Sequence, residues 1–158
     1  LMMIAASSIV GYLAFGALAE RLARKGIPPM RVAACGMTLF IAAQLLLTLQ
    51  WVAAAIPIWV MFGFFGTSCI LPYAVLSQSF PRNLSGRANT SLNLFVFVAA
   101  FAAQWVIGVI IGFWPEVAPG AYHPHGYRAG FGMLVILQIA AAVWYLKPVK
   151  AGTEQAAD

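Results

Sequence analysis

Apolar residues run along this chain in blocks of about 20, and the connections between blocks hold nearly all of the charge. A hydrocarbon core about 30 Å thick takes about 20 apolar residues to cross as a helix. Five blocks meet that length and predict membrane-spanning helices over 1–19, 32–53, 56–78, 91–113 and 127–146. They are continuously apolar and lack the period-two alternation of barrel strands, so the expected fold is an all-α integral membrane protein. Pro57, Pro81, Pro115, Pro119 and Pro148 fall at the ends of blocks, where a missing N–H does least harm. The residues after the fifth block, 147–158, form a short polar tail.

Composition sharpens this picture. Soluble domains carry roughly a quarter charged residues, whereas this chain of 158 residues is 8% charged and 63% hydrophobic and cannot clothe itself for water. The net charge of +5 does not indicate nucleic acid, because the basic residues form islands between apolar runs and not one basic face. They carry topology instead. The first connection holds Arg21, Arg24, Lys25 and Arg31, the third holds Arg82 and Arg87, and the tail holds Lys147 and Lys150. The second connection holds none, and the fourth has only Arg128, with Glu116. By the positive-inside rule the chain starts outside and its C-terminus is cytoplasmic, as expected for a multi-pass protein of a plasma (inner) membrane. Cys35 and Cys69 lie inside apolar blocks without metal-ligand spacing and read as packing residues.

The first connection has a pattern of its own: Gly16, then after three intervening residues Glu20 and Arg21, then Arg24 and Lys25. It resembles the motif that joins the second and third, and again the eighth and ninth, helices of major facilitator superfamily transporters. Glu20 stands where that motif has Asp, and Ala23 where it has its inner glycine. A second stretch, from Phe80 to Phe97, is similar to the connection into the eleventh helix of the same superfamily. The resemblance implies that the five spans are helices eight to twelve, most of the C-terminal bundle of a twelve-helix carrier. The chain opens inside an apolar run at Leu1, and the expectation is that the N-terminal half of the same polypeptide is missing. The resemblance further implies alternating access by two rocking bundles. In that scheme the cytoplasmic latch Gly16, Glu20, Arg21, Arg24 and Lys25 docks on a helix N-terminus of the other half, where the helix dipole favours a carboxylate. Ser85, Gly86 and Arg87 start the fourth span and offer the reciprocal helix N-terminus.

Polar residues within the spans are candidates for solute contact, since side chains near the bilayer midplane usually face a bundle interior or a wet cavity. Counting 1.5 Å per residue from the cytoplasmic ends puts Ser8 and Ser68 about 15 Å deep and Gln104 about 20 Å deep. Asn93 and Gln104, eleven residues apart, fall on one stripe to within about 20°. Thr67 repeats that interval with Gln78, and Tyr73 lies on an adjacent face. The candidate substrate-facing set is therefore Ser8, Thr67, Ser68, Tyr73, Asn93 and Gln104. Pro72 cannot donate to the carbonyl of Ser68, which predicts a kink suited to a gate. Gly108 and Gly112 have the spacing of close helix packing within a bundle. Gln44 and Gln138 are also deep, on helices that the resemblance makes peripheral.

No Asp, Glu, Lys or Arg sits in a span core. Either the missing half supplies a coupling group, or transport is uncoupled, or the solute is neutral. No cofactor and no metal is expected, and the partners are the bilayer, the missing half and a small-molecule substrate. Two alternatives compete with the carrier. One is a membrane enzyme with an outer-face site at His123, His125 and Glu116, and the other is a small polytopic scaffold.

Overall fold

The computed structural model describes residues 2–146, so Leu1 and the tail 147–158 lie outside the described residues. The order is α1 (Met2–Ala23), α2 (Pro29–Thr48), a 3₁₀ turn (Val52–Ala54), α3 (Ala55–Gly66), a 3₁₀ turn (Thr67–Cys69), α4 (Ile70–Ser79), α5 (Arg82–Gly112), strands β1 (Glu116–Ala118) and β2 (Ala121–Tyr122), and α6 (Pro124–Leu146). With α3 and α4 counted as one run, five helices among the described residues are long and apolar enough to cross a membrane. That is compatible with a multi-pass membrane protein.

Most helix ends differ from the hydropathy-based bounds, and for local reasons. The first helix does not stop at Ala19. It runs past Glu20 and Arg21 and closes where Gly26, at φ 81°, donates to Ala23 O at 2.9 Å and Ile27 donates to Leu22 O at 3.0 Å. This paired closure needs a left-handed residue that glycine supplies without strain. Pro29 opens α2 earlier than expected, with Pro28 extended before it. The helix ends at Thr48, ahead of the expected 53, because Gln50 turns left-handed at φ 56°. The fourth helix begins at Arg82, not Ser91, after Pro81 at its N-cap. Ser85 and Gly86 therefore lie in the second turn and are not the start of a helix. Ser85 Oγ donates to Arg82 O at 3.3 Å. Between α5 and α6 a two-residue turn with Gly120 at φ 74° makes a small antiparallel hairpin that the apolar pattern does not predict.

The third span is interrupted as Pro72 requires. Pro72 has no N–H for Ser68 O, and the chain tightens into the 3₁₀ turn Thr67–Cys69 one turn earlier.

Small residues determine how the helices meet. Ser7 and Gly11 on α1 face Gly63 and Thr67 across the α3 run. A Cβ added to Gly11 would sit 2.5 Å from Thr67 Oγ1 and 2.6 Å from Phe64 O, and one added to Gly63 would sit 2.5 Å from Ser7 Oγ and 2.9 Å from Ile4 O. Contacts advance together along both chains, so α1 and α3 are parallel. On α2, Gly36 packs against Ser68 and Phe15, while Phe40 lies 3.1 Å from the place of a Cβ on Gly66, so α2 runs antiparallel to them. Phe15, Ala19, Val32, Ala33 and Leu71 form the buried core, with Leu22, Ile27, Phe64 and Phe65 packed on it. The α5–α6 hairpin closes through Gly126 on Ile111 and Gly130 on Ile107.

In contrast, α5 buries no residue. Phe95, Phe97, Phe101 and Trp105 are all exposed along it. The expectation that Gly108 and Gly112 pack within the bundle is not met, since a Cβ on either would meet nothing within 4 Å.

Gly11→Ala and Gly63→Ala are expected to lower the thermal midpoint of the detergent-solubilised chain, because overpacking costs about 1–3 kcal/mol against a helix-propensity gain of about 1 kcal/mol. Gly108→Ala, with open space before it, is expected to hold or raise the midpoint. Equal responses at the three sites would refute the seam.

Candidate functional site

At the end of the bundle where α1 closes, Gly16, Glu20 and Arg21 lie in the last two turns of the helix, and Arg24 and Lys25 lie in the turn that closes it. Gly16 is exposed and open, with nothing within 4 Å of a would-be Cβ. Glu20 accepts from Arg24 one turn on, an ion pair in which both side chains are largely exposed. Pairs of this kind contribute about 0.3–0.5 kcal/mol, so this one orients the carboxylate more than it stabilises the helix. Arg21, Lys25 and Arg31 are also exposed and form no ion pair among the described residues.

The same end carries the polar start of α5. Its 31 residues extend about 46 Å at 1.5 Å per residue, well beyond a hydrocarbon core of about 30 Å. The excess is the polar run Arg82–Thr90. Arg82, Asn83, Gly86, Arg87 and Thr90 line a shallow groove there. Asn89 Nδ2 donates to Ser77 Oγ and ties this run to α4.

The six substrate-facing candidates do not converge. Ser8 Oγ donates to Ile4 O at 2.9 Å and lies 3.2 Å from Gly63 O on the neighbouring helix. Thr67 Oγ1 donates to Phe64 O at 2.7 Å and is buried against Gly11. Ser68 is wholly enclosed, with its hydroxyl unpartnered and its Cβ against Gly36. These three belong to the seam joining α1, α2 and the interrupted span. Tyr73 is half-buried on α4, while Asn93 and Gln104 stand exposed on α5.

Elsewhere the structure brings together residues that no spacing connects. Gln138 Nε2 donates to Gln44 Oε1 at 3.0 Å across α6 and α2, 94 positions apart. Gln44 is 1% exposed, and Thr48 Oγ1 donates to its carbonyl at 2.9 Å. The other halves of the two amides, Gln44 Nε2 and Gln138 Oε1, have no partner. The sequence signal was an amide deep in each of the two apolar blocks, which marks depth and not pairing.

At the start of α6, His123 just before the helix and His125 in its first turn stack with ring centroids 4.8 Å apart, and His125 N–H donates to His123 Nδ1 at 3.2 Å. Among the described residues no three His, Cys, Asp or Glu side chains gather as a metal site would need.

No family model, curated protein or solved structure matches this chain. The transporter resemblance thus rests on the sequence motifs alone.

Gln138→Leu is expected to cost about 1–2 kcal/mol in unfolding of the solubilised chain, because it leaves the buried Gln44 amide without a partner. The double change Gln44→Leu with Gln138→Leu is expected to recover most of that loss. A double-mutant cycle with no coupling would show that the pair contributes nothing.

Proposed function

We propose that this chain is the C-terminal bundle, helices eight to twelve, of a major facilitator superfamily carrier that moves a small solute across an inner membrane by alternating access. The reading rests on the motif resemblance and is supported by how the polar residues divide. Those on α1 and the α3 run are consumed by helix contacts, whereas Asn93 and Gln104 on α5 remain on a face with no protein packed over it. Two amides on one stripe, each able to donate and accept, suit a polar, uncharged solute held between this bundle and the other half of the polypeptide. Tyr73, beyond the break at Pro72, stands on the adjoining helix.

In this reading the Glu20–Arg24 pair is half of a latch. The carboxylate is oriented at a helix end and solvent-accessible, so a helix N-terminus of the other half can dock on it, with the positive end of that dipole toward the anion. Arg21 and Lys25 flank it and hold the cytoplasmic side by the charge rule. Rocking breaks and remakes this contact, so weakening it shifts the balance between inward-open and outward-open states.

The test uses the protein encoded by the full reading frame. Glu20→Gln and Arg21→Ala are expected to slow solute uptake about fivefold or more with unchanged membrane yield. A thermal-shift screen is expected to find a stabilising solute whose affinity falls about fivefold or more in Asn93→Ala or Gln104→Ala. Wild-type uptake in both latch variants would remove the latch, and unchanged solute affinity in both amide variants would remove α5 from the pathway.

A further inference from the structure

The end of the bundle away from the basic turns has a cavity that the transport reading does not use. It measures about 470 Å³ and lies where the C-terminal end of α2, the N-terminal end of α3 and the first turns of α6 converge. Its walls are aromatic, with Trp51, Trp59, Tyr127 and Phe131, and its polar side chains are Thr48, Gln50 and Arg128. Trp59 meets Phe131 edge-on at 6.4 Å between centroids, so the inner wall is a fixed aromatic corner. Gln50 holds the outer rim. It takes a left-handed backbone at φ 56°, costly for a residue with a side chain, and its Nε2 donates to Pro124 O at 3.3 Å, bridging α2 to α6 across 74 positions.

Arg128 makes this pocket more than a gap between helices. It is exposed, no acidic residue lines the cavity, and it forms no ion pair among the described residues. A guanidinium without a counter-ion beside an apolar cavity presents five donors to an anion, and phosphate is the anion whose geometry it matches bidentately. The other walls decide what the phosphate is attached to. Trp and Tyr at helix ends belong at the headgroup level of a bilayer, and Trp51 on the cavity wall is 59% exposed. An occupant must therefore be anionic at one end and apolar along its length.

We infer that this cavity binds an anionic phospholipid, with Arg128 on the phosphate, Tyr127 and Trp51 at the headgroup, and an acyl chain against Trp59 and Phe131. The headgroup is an uncharged polyol, since no acidic residue lines the cavity to hold an ammonium group. Bound there, the lipid spans three converging helix ends, two of which, those of α2 and α6, Gln50 also bridges.

The test uses this chain with Trp105, Trp114 and Trp144 replaced by Phe, so that Trp51 and Trp59 alone report. It is reconstituted in vesicles containing equal mole fractions of phosphatidylglycerol and phosphatidylcholine, with one or the other brominated in its acyl chains. Brominated phosphatidylglycerol is expected to quench as a ligand bound about fivefold more tightly than brominated phosphatidylcholine, the preference one basic residue gives at a charged surface. Arg128→Gln is expected to abolish that preference and Arg128→Lys to keep part of it. Glycerol 1-phosphate is expected not to relieve the quenching. Equal quenching by the two lipids overturns the proposal, as does a preference that survives in Arg128→Gln. Relief by glycerol 1-phosphate overturns the lipid and leaves a soluble phosphate as the ligand. Circular dichroism of each variant confirms folding, which an exposed Arg128 does not govern.

Discussion

The closest constraint in this fold is the absence of side chains where α1 meets α3. In lipid no hydrophobic drive pulls one apolar helix to another, so association depends on how near the backbones can come and what they bond on arrival. Gly11 and Gly63 have no room for a Cβ, and Ser8 uses the proximity to reach Gly63 O at 3.2 Å. Gly36 repeats the arrangement from α2, pressed on Ser68 and on the ring of Phe15. Once these three approaches are made, Phe15 is fixed between Phe64 at 5.6 Å and Phe65 at 6.4 Å, and the core around Leu71 and Val32 follows. The charged turn after Phe15 is then presented at a fixed angle, because Leu22 and Ile27 of its closing motif pack on that same core.

The rest of the chain is held differently. Between α2 and α6 the polar contacts are the part-buried amide pair of Gln44 with Gln138 and, at the far rim, the bond from Gln50 to Pro124. The helix α5 leans on α6 through Ile107 and Ile111 and buries nothing of its own. Tight packing on one side and an open, aromatic helix on the other divide the bundle into a rigid element and a surface awaiting a neighbour, lipid or protein.

Hydropathy alone found the five apolar helices, since length and composition against a bilayer leave few alternatives. It misplaced their ends because helical hydrogen bonding does not stop where apolarity does. Glu20 and Arg21 are charged and still helical, as α1 closes only at Gly26, and the polar run from Arg82 is helical because Pro81 starts a helix wherever its neighbours permit. Depth was also legible for Ser8, Thr67, Ser68 and Gln44, but direction was not. A polar residue at the midplane faces a cavity or a neighbouring helix depending on contacts dozens of positions away, and Gly63 opposite Ser8 or Gln138 opposite Gln44 leave no local trace. The hairpin from Glu116 to Tyr122 is too short for any period to declare itself.

The Pro72 break falls beside the closest helix contacts of the fold. Proline frees Ser68 O, and the chain weakens at Thr67–Cys69, yet Thr67 is the residue under Gly11 and Ser68 the residue under Gly36. The weakest backbone of the third span is thus clamped on both sides by the closest helix contacts in the fold. Bending there by displacing α3 would break both contacts together. Displacing α4 instead would leave those two contacts in place but would pull Leu71 out of the core it shares with Phe15, Val32 and Ala33, and would act on α5 through the Ser77–Asn89 hydrogen bond. The break at Pro72 is thus braced on both sides, by the glycine contacts before it and by Leu71 after it, and Asn93 and Gln104 stand exposed on α5, outside that brace.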